Sequence, residues 1–355
     1  MTALADHIDR VVERARAFYS SQEPGHLLVN AYIPVECPAI PPLHSFDLDQ
    51  QLNQWLAYQL EAARPGWRAK EGLDDDSIPA TCPFFGIAEH SAWLGMDVIL
   101  QETTCLPIPI IKTPHDLSRL RLSEENKWFG YMKRGYEYLR SRLDGSFVLS
   151  VRGALAPMDM ANALRGDEVF VDLLLQPDFC HQLMDWLVEA IHWYFEHLLS
   201  WAQDIDGGHV FNFGGGWMPP RTIGHLANDA AMLCSPAIYD QFGYPYESRL
   251  VSRYDWVLYH VHNEKTHHVP RLATLPHLAL LEVTGDPKTI PPIDDLKRLF
   301  AATQSVNLML HADSDQVREH IAELQDRNAF LLVTCRDRAD AEDIVAFVRD
   351  RSKPL

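Results

Sequence analysis

Hydrophobic and polar positions follow two different periods along this chain. Near the N-terminus, Leu4, Ile8, Val11, Ala15 and Phe18 recur at helical spacing and predict an amphipathic helix over residues 3–20. From about residue 145 onwards, short apolar runs alternate with longer helical stretches. The further helices that we predict are 47–63, 157–174, 178–204, 236–252, 293–302, 315–327 and 338–351.

Eight apolar runs have the length and composition of β-strands: 27–33, 97–102, 147–152, 209–213, 256–262, 278–283, 305–311 and 329–335. Short strands separated by helices are typical of βαβ units and therefore of a parallel sheet. Eight such units favour an α/β fold of the (β/α)8 TIM-barrel type, with the N-terminal helical segment 1–26 packed on the barrel. No G-x-G-x-x-G follows the first run, which weakens the alternative of a dinucleotide-binding fold.

Composition narrows the class of protein. We expect a single domain over residues 1–355, because no low-complexity linker interrupts the alternation. The formal net charge of −18 would repel nucleic-acid phosphates and anionic lipids. No apolar run approaches the length of a membrane span, and the first residues lack the apolar core of a signal peptide. We therefore expect a cytoplasmic protein whose 6 cysteines are free thiols.

The ends of the predicted strands carry polar residues. In a parallel barrel the catalytic groups lie at the carboxyl ends of the strands, so side chains from different strands meet there. Any strand also turns polar where it reaches solvent, so some of these residues are ordinary loop residues. The residues at or just past predicted strand ends are Arg152, Asn212, His260, His262, Glu282, His311 and Cys335.

His260 and His262 are the centre of a predicted metal site. They lie two residues apart on one predicted strand, so their rings point to the same face. Two neutral imidazoles form half of a zinc site, and Glu282 and Cys335 at later strand ends can complete it. The alternatives are a hydrogen-bonded histidine pair without metal, a Glu282 that acts as acceptor or base, and a buried Cys335 thiol.

Other residues are predicted to complete the pocket. Glu89 and His90 lie within an apolar, glycine-rich stretch, so they form either a hydrogen-bonded core pair or part of the pocket. In the pocket they would orient the substrate or move a proton, as would Glu282 and His311. His267 and His268 are expected to lie outside it. The residues predicted to bind substrate are Arg152, Phe211, Asn212, Phe213 and Trp217, with the aromatic rings excluding water.

Part of the sequence resembles the uroporphyrinogen decarboxylase superfamily. The segment 228–246 contains an acidic loop, a Ser-Pro pair and a phenylalanine before an aromatic Pro-Tyr, and Arg165-Gly-Asp-Glu and Pro177-Asp also match. The resemblance runs from about residue 145 to the C-terminus and implies a TIM barrel, often dimeric, with a deep pocket. No Lys or Arg lies between Arg16 and Arg64, where porphyrinogen decarboxylases place arginines for substrate carboxylates. We therefore disfavour a tetrapyrrole substrate.

The metal residues are similar to those of the zinc methyltransferase branch, which uses His-x-Cys and a later Cys. The related cobalamin-independent methionine synthase adds a Glu between them. His260-x-His262, Glu282 and Cys335 fall at matching places, with His262 replacing a cysteine. The resemblance implies that zinc lowers the pKa of a thiol, which then attacks a methyl group on a corrinoid or on a small methylated molecule. No corrinoid-binding D-x-H-x-x-G is present, so a separate protein would carry the corrinoid.

Two other classes of function stay open. A metal-assisted decarboxylase or other lyase of a small aromatic acid is favoured by His262 in place of cysteine and by Glu282 and His311 as acid–base groups. The other alternative is a non-catalytic barrel that binds a small ligand. The density of ionisable residues at strand ends argues against it.

Overall fold

The structure is a computed structural model that describes residues 3–21, 23–262 and 267–354. The predicted N-terminal segment 1–26 is therefore described except for residues 1, 2 and 22. Strands in the described part of the chain are β1 Leu27–Tyr32, β2 Ala80–Thr81, β3 Val98–Leu100, β4 Cys105–Pro107, β5 Val148–Leu149, β6 Ala154–Leu155, β7 His209–Val210, β8 Trp217–Met218, β9 Thr222–Ala227, β10 Trp256–His262, β11 Leu278–Thr284, β12 Asn307–Asp313 and β13 Ala329–Thr334.

The α-helices cover most of the predicted helical stretches. They are α1 Ala3–Ser20, α2 Leu48–Ala69, α3 Glu89–Ala92, α4 Lys127–Arg140, α5 Pro157–Arg165, α6 Glu168–Leu175, α7 Pro177–Trp201, α8 Asp229–Met232, α9 Pro236–Phe242, α10 Tyr244–Val251, α11 Val269–Leu272, α12 Leu296–Thr303, α13 Ser314–Leu324 and α14 Arg338–Arg351. Two predicted helices are divided at glycines, 157–174 near Gly166 and 236–252 at Gly243. Gly166 has φ 76°, a conformation that ends an α-helix.

A seven-stranded parallel sheet forms the centre of the molecule. Its strand order is β1-β13-β12-β11-β10-β9-β6, and each neighbouring pair is parallel. From β9 to β13 each strand pairs with the next one along the chain, with helical turns between them, as βαβ units require. The predicted α/β architecture with a parallel sheet is therefore confirmed.

Three details of the predicted strands are wrong. The predicted strand 97–102 is one arm of an antiparallel hairpin, in which Val98–Leu100 pairs with Cys105–Pro107. Alternation of apolar residues does not distinguish a hairpin arm from a strand of a buried sheet. The prediction also missed β9, a full member of the central sheet. The run 209–213 is strand only at His209–Val210, which pairs antiparallel with Trp217–Met218, while Val151 bridges Phe211 in parallel.

One side of β1 is covered by carboxylates. The backbone N–H of Val29 donates to Asp76 Oδ2 at 2.8 Å, and that of Ala31 donates to Asp75 Oδ2 at 3.2 Å. Asp76 Oδ1 lies 2.6 Å from both Arg14 Nε and Arg349 Nη2. Buried backbone donors must be satisfied, so these side chains replace the ladder that a neighbouring strand would supply.

Helix α1 packs beside β1 and β8 through its apolar face. Val11, Val12, Ala15 and Phe18 are buried, and the Tyr19 hydroxyl donates to the sulfur of Met218 at 2.8 Å. Among the described residues, none of the helices combines the length and apolarity that crossing a bilayer would take.

The role of Asp76 beside β1 predicts that substitutions at positions 74 and 76 lower the free energy of unfolding by different amounts. Asp76→Ala leaves the Val29 N–H and two arginines without their buried partner, so we expect the free energy of unfolding to fall by roughly 3–5 kcal/mol. Asp74→Ala removes a carboxylate that is 52% exposed and should cost about 1 kcal/mol or less. Urea denaturation of the two variants measures both values, and equal losses would contradict this role of Asp76.

Candidate active site

Glu282 is the meeting point of four neighbouring strands. It lies on β11 and is 3% exposed. Its Oε2 accepts from Nδ1 of His260 on β10 at 2.8 Å and from Nε2 of His225 on β9. Its Oε1 accepts from Nε2 of His311 on β12 at 2.7 Å. Parallel pairing places His260 directly opposite Glu282 in the register of the sheet.

The electrostatics of this cluster favour an ionised Glu282 carboxylate beside a neutral His225 ring. Burial raises the pKa of Glu282, but the adjacent His225 and the hydrogen bonds from three imidazoles outweigh it and hold that pKa well below its usual range. Burial lowers the pKa of His225, although Glu282 partly opposes this. An imidazole in its neutral form donates one N–H to the carboxylate and keeps a lone pair on its second nitrogen.

The His-x-His pair has both of its outer nitrogens occupied by carboxylates. His260 Nδ1 faces Glu282, and His262 Nδ1 lies 2.9 Å from Asp286 Oδ1. A carboxylate only accepts, so the proton of each neutral ring lies on Nδ1. The two Nε2 atoms then carry lone pairs and face one another at 3.2 Å. Asp229 Oδ1 lies 3.7 Å from the same His262 Nε2.

Two groups of side chains bring possible metal-binding atoms within 4.8 Å of one another: His225, His260 and Glu282, and Asp229, His260 and His262. The second group fits a divalent ion better. In the first group the ring N–H groups already bond to Glu282, whereas in the second the lone pairs converge. Two nitrogens on one tetrahedral zinc ion lie about 3.3 Å apart, and two imidazoles plus a carboxylate leave a fourth position for substrate. The carboxylates on Nδ1 are the outer partners that metal-bound histidines have.

Cys335 belongs to neither group. Its Sγ lies 3.5 Å from the carbonyl oxygen of Val333. Burial raises the pKa of the Cys335 thiol, and a hydrogen bond with Ser314 opposes this only in part. The structure therefore places the His-x-His pair with Glu282 and gives Cys335 other neighbours.

His267, His268 and Trp217 also have their contacts away from this cluster. His267 and His268 each direct Nε2 to the carbonyl oxygen of Cys234, at 3.3 and 3.0 Å. The Trp217 indole donates to the carbonyl oxygen of Ile205 at 2.7 Å and lies under Arg16. Trp217 is thus part of the packing near α1.

Glu89 and Arg152 form a buried ion pair close to the histidines. Arg152 Nε donates to Glu89 Oε1, and Glu89 Oε2 accepts from the backbone N–H of Phe85. The ring of Phe213 stacks on His225, with centroids 4.3 Å apart and planes 19° apart. Burial, followed by the positive charge of Arg152, lowers the pKa of His90 well below its usual value.

Two other residues that we predicted to bind substrate act through their backbone in this region. Phe211 is buried, and its N–H donates to Gly216 at 3.1 Å. The N–H of Asn212 donates to Val151 at 2.9 Å. These bonds set the path of the chain that leads to Phe213.

The start of helix α8, which carries Asp229, is anchored by buried acids. Asp159 Oδ1 accepts from the N–H of Ala230 at 2.6 Å. Asn228 donates to Glu247, whose Oε2 accepts from the hydroxyls of Tyr239 at 2.6 Å and Tyr259 at 3.0 Å. The side chain of Asp229 is 61% exposed, but Asp229 is the residue directly after Asn228, which belongs to this network.

Sequence reasoning missed three residues of the site: His225, Asp229 and Asp286. His225 lies on β9, which we did not predict because Gly224 and His225 interrupt the short run Thr222-Ile-Gly-His-Leu-Ala. Asp229 falls in the acidic loop noted as part of the resemblance. Asp286 follows β11 by two residues and carried no pattern of its own.

Comparison with known proteins places the fold. No family model matches the sequence, and no curated protein matches it. Among solved structures, a methyltransferase from Methanosarcina mazei superposes with a TM-score of 0.62 and 11% sequence identity. The match covers 96% of this chain and 98% of that one. The two proteins share a fold over nearly their whole lengths.

The acid network predicts a pH-dependent contribution to stability. Burial raises the pKa of Glu247 to about 7, against the hydrogen bonds from Tyr239, Tyr259 and Asn228. The folded state then binds this proton more tightly than the unfolded state, so the contribution is present below about pH 4.5 and is lost as pH rises through 7.

We expect Glu247→Gln to lack that loss, so its stability relative to the unsubstituted protein should rise by about 2–3 kcal/mol between pH 5 and pH 7. Urea denaturation at the two pH values tests this. Parallel pH profiles would show that Glu247 is ionised throughout.

Proposed function

We propose that this protein is a metal-dependent methyltransferase that acts on a small molecule, with one zinc ion held by His260, His262 and Asp229. The observation that carries the proposal is the pair of Nε2 atoms 3.2 Å apart, with both Nδ1 atoms bonded to carboxylates. A shared proton could also satisfy two facing lone pairs. The Asp229 carboxylate beside them favours a metal cation, because it supplies a third donor.

The shared fold supports methyl transfer as the reaction class. The neighbour is described as a methyltransferase, and its likeness extends over both chains. Closure of the parallel sheet into a (β/α)8 barrel is part of the same proposal, with the carboxylates along β1 covering the gap beside that strand. No observation in the structure or the comparisons favours the decarboxylase or the ligand-binding alternative over this one.

A zinc ion in such a site would supply Lewis acidity that lowers the pKa of a substrate thiol. Glu282 and Asp286 hold the two imidazoles in the tautomer that leaves Nε2 free. In the transfer itself, a bond forms from sulfur to the methyl carbon while the donor's bond to that carbon breaks. The thiol proton leaves through a base, and His311 is placed for this because its ring bonds Glu282 through Nε2 and is 47% exposed.

Metal content tests the ligand set. We expect close to one equivalent of zinc per chain after zinc-replete expression, and less than about a tenth in His262→Ala and Asp229→Asn, because each removes a donor. Cys335→Ser should keep its zinc, since that thiol lies in neither group. His320→Ala is the matched control, because His320 lies on α13 and pairs with two carboxylates, Asp294 and Glu323.

Measurement is by elemental analysis of the purified proteins, with circular dichroism to confirm folding. Zinc lost from Cys335→Ser but retained in Asp229→Asn would replace the proposed set with the thiolate set predicted from sequence. A zinc-free unsubstituted protein would remove the metal from the proposal.

Methyl transfer is tested with the zinc-loaded protein and a thiol acceptor. Methylcobalamin and methoxylated aromatic compounds serve as donors, and mass spectrometry detects the methyl thioether. We expect product with at least one donor class and a loss of at least a hundredfold in His260→Ala, since that ring belongs to both candidate groups. Failure of every donor, with zinc bound, would contradict methyl transfer to a thiol.

A further inference from the structure

The guanidinium of Arg152 is buried between two aromatic rings. Its Cζ lies 4.6 Å from the ring centre of Phe84 and 5.3 Å from that of Phe213. The residue is 3% exposed. Burial of a charged group between rings is tolerated because the ring faces attract cations, but each N–H still needs an acceptor.

The acceptors around Arg152 are incomplete. Glu89 accepts from Nε, and its second oxygen is bonded to the backbone of Phe85. The Nη1 atom of Arg152 is buried and has no hydrogen-bond partner among the described residues. A buried donor on a charged group is costly to leave unsatisfied, so this atom favours a bound acceptor. The ion pair with Glu89 does not use this atom.

The unsatisfied donor lies beside the histidine cluster. Phe213, which contacts the guanidinium, also stacks on His225, and His225 bonds Glu282. The lowered pKa of His90 has its neighbours Arg152 and His225 among its causes, which is consistent with this closeness. An acceptor bound to Nη1 would therefore be part of a molecule that reaches the same site.

We propose that Arg152 binds the carboxylate of the substrate, so that the methyl donor or acceptor is a small monocarboxylic acid with a flat, apolar body. This proposal rests on the proposed function only in that the bound acid takes part in the reaction as a substrate. A carboxylate matches the planar guanidinium and carries a single charge. A dianionic phosphate would bring more charge than one guanidinium, already paired with Glu89, could neutralise. The rings of Phe84 and Phe213 favour the flat body.

Binding of matched acids and amides to the metal-free protein tests this. Benzoate and benzamide share one shape, as do acetate and acetamide, and calorimetry gives their dissociation constants after removal of metal with a chelator. We expect benzoate to bind at least tenfold more tightly than benzamide, because only the acid offers a charged acceptor. A carboxylate that bound through a metal ion would show no preference under these conditions.

Variants assign the preference to Arg152. The double substitution Arg152→Met with Glu89→Gln removes the pair without leaving a buried charge, and the preference for benzoate should disappear. The double substitution Arg165→Met with Asp172→Asn is the matched control, since it removes another ion pair with a buried acid, 2.7 Å long, on α5 and α6. It should leave benzoate binding unchanged. Arg152→Lys keeps the charge beside Glu89, so it folds more readily, and it should also lose the preference.

Equal binding of acid and amide by the unsubstituted protein would overturn the proposal. So would a preference for benzoate that survives in both Arg152 variants. Because the measurements use metal-free protein, they stand whether or not the zinc site or methyl transfer is confirmed.

Discussion

The arrangement of the site depends on one buried carboxylate. Glu282 is ionised in the interior and needs donors, and three imidazoles from β9, β10 and β12 supply them. The same bonds determine where each ring points and which nitrogen carries its proton. Without this anion the rings of His225 and His260 would have no reason to converge. The strand register, which sets His260 opposite Glu282, makes the contact a consequence of the sheet itself.

Carboxylates perform the same task elsewhere in the fold. Asp286 orients His262 from the end of β11, and Asp75 and Asp76 satisfy the N–H groups along one side of β1. Asp159 and Glu247 hold the start of α8, through the N–H of Ala230 and the side chain of Asn228. A chain with a formal net charge of −18 therefore keeps part of its excess acid inside, where each carboxylate determines a position. Removing one leaves donors unpaired, which explains why such groups are sensitive to substitution.

The sequence predicted the elements whose pattern is local. The strands β10 to β13 are long apolar runs between helices, and the two-residue spacing placed His260 and His262 on one face. It did not predict β9, because Gly224 and His225 interrupt a short run after two prolines. It could not pair Glu89 with Arg152, which lie 63 residues apart, or distinguish Glu282 as an orienting group from Glu282 as a ligand. These depend on which strands become neighbours, and a single sequence carries no local signal of that.

The proposed zinc ligands, His260, His262 and Asp229, affect the kind of methyl donor that such a site could use. Two imidazoles and one carboxylate leave a bound cation with more effective charge than two thiolates would, since Cys335 lies outside both groups. A substrate thiol is then deprotonated more easily, but a thiolate of lower pKa is also a weaker nucleophile. Among the described residues, no thiolate lies at the cluster to restore that electron density. In the proposed methyltransferase, the methyl group would then have to come from a donor with a good leaving group, and an acid anchored at Arg152 would help by holding the reacting carbon in line.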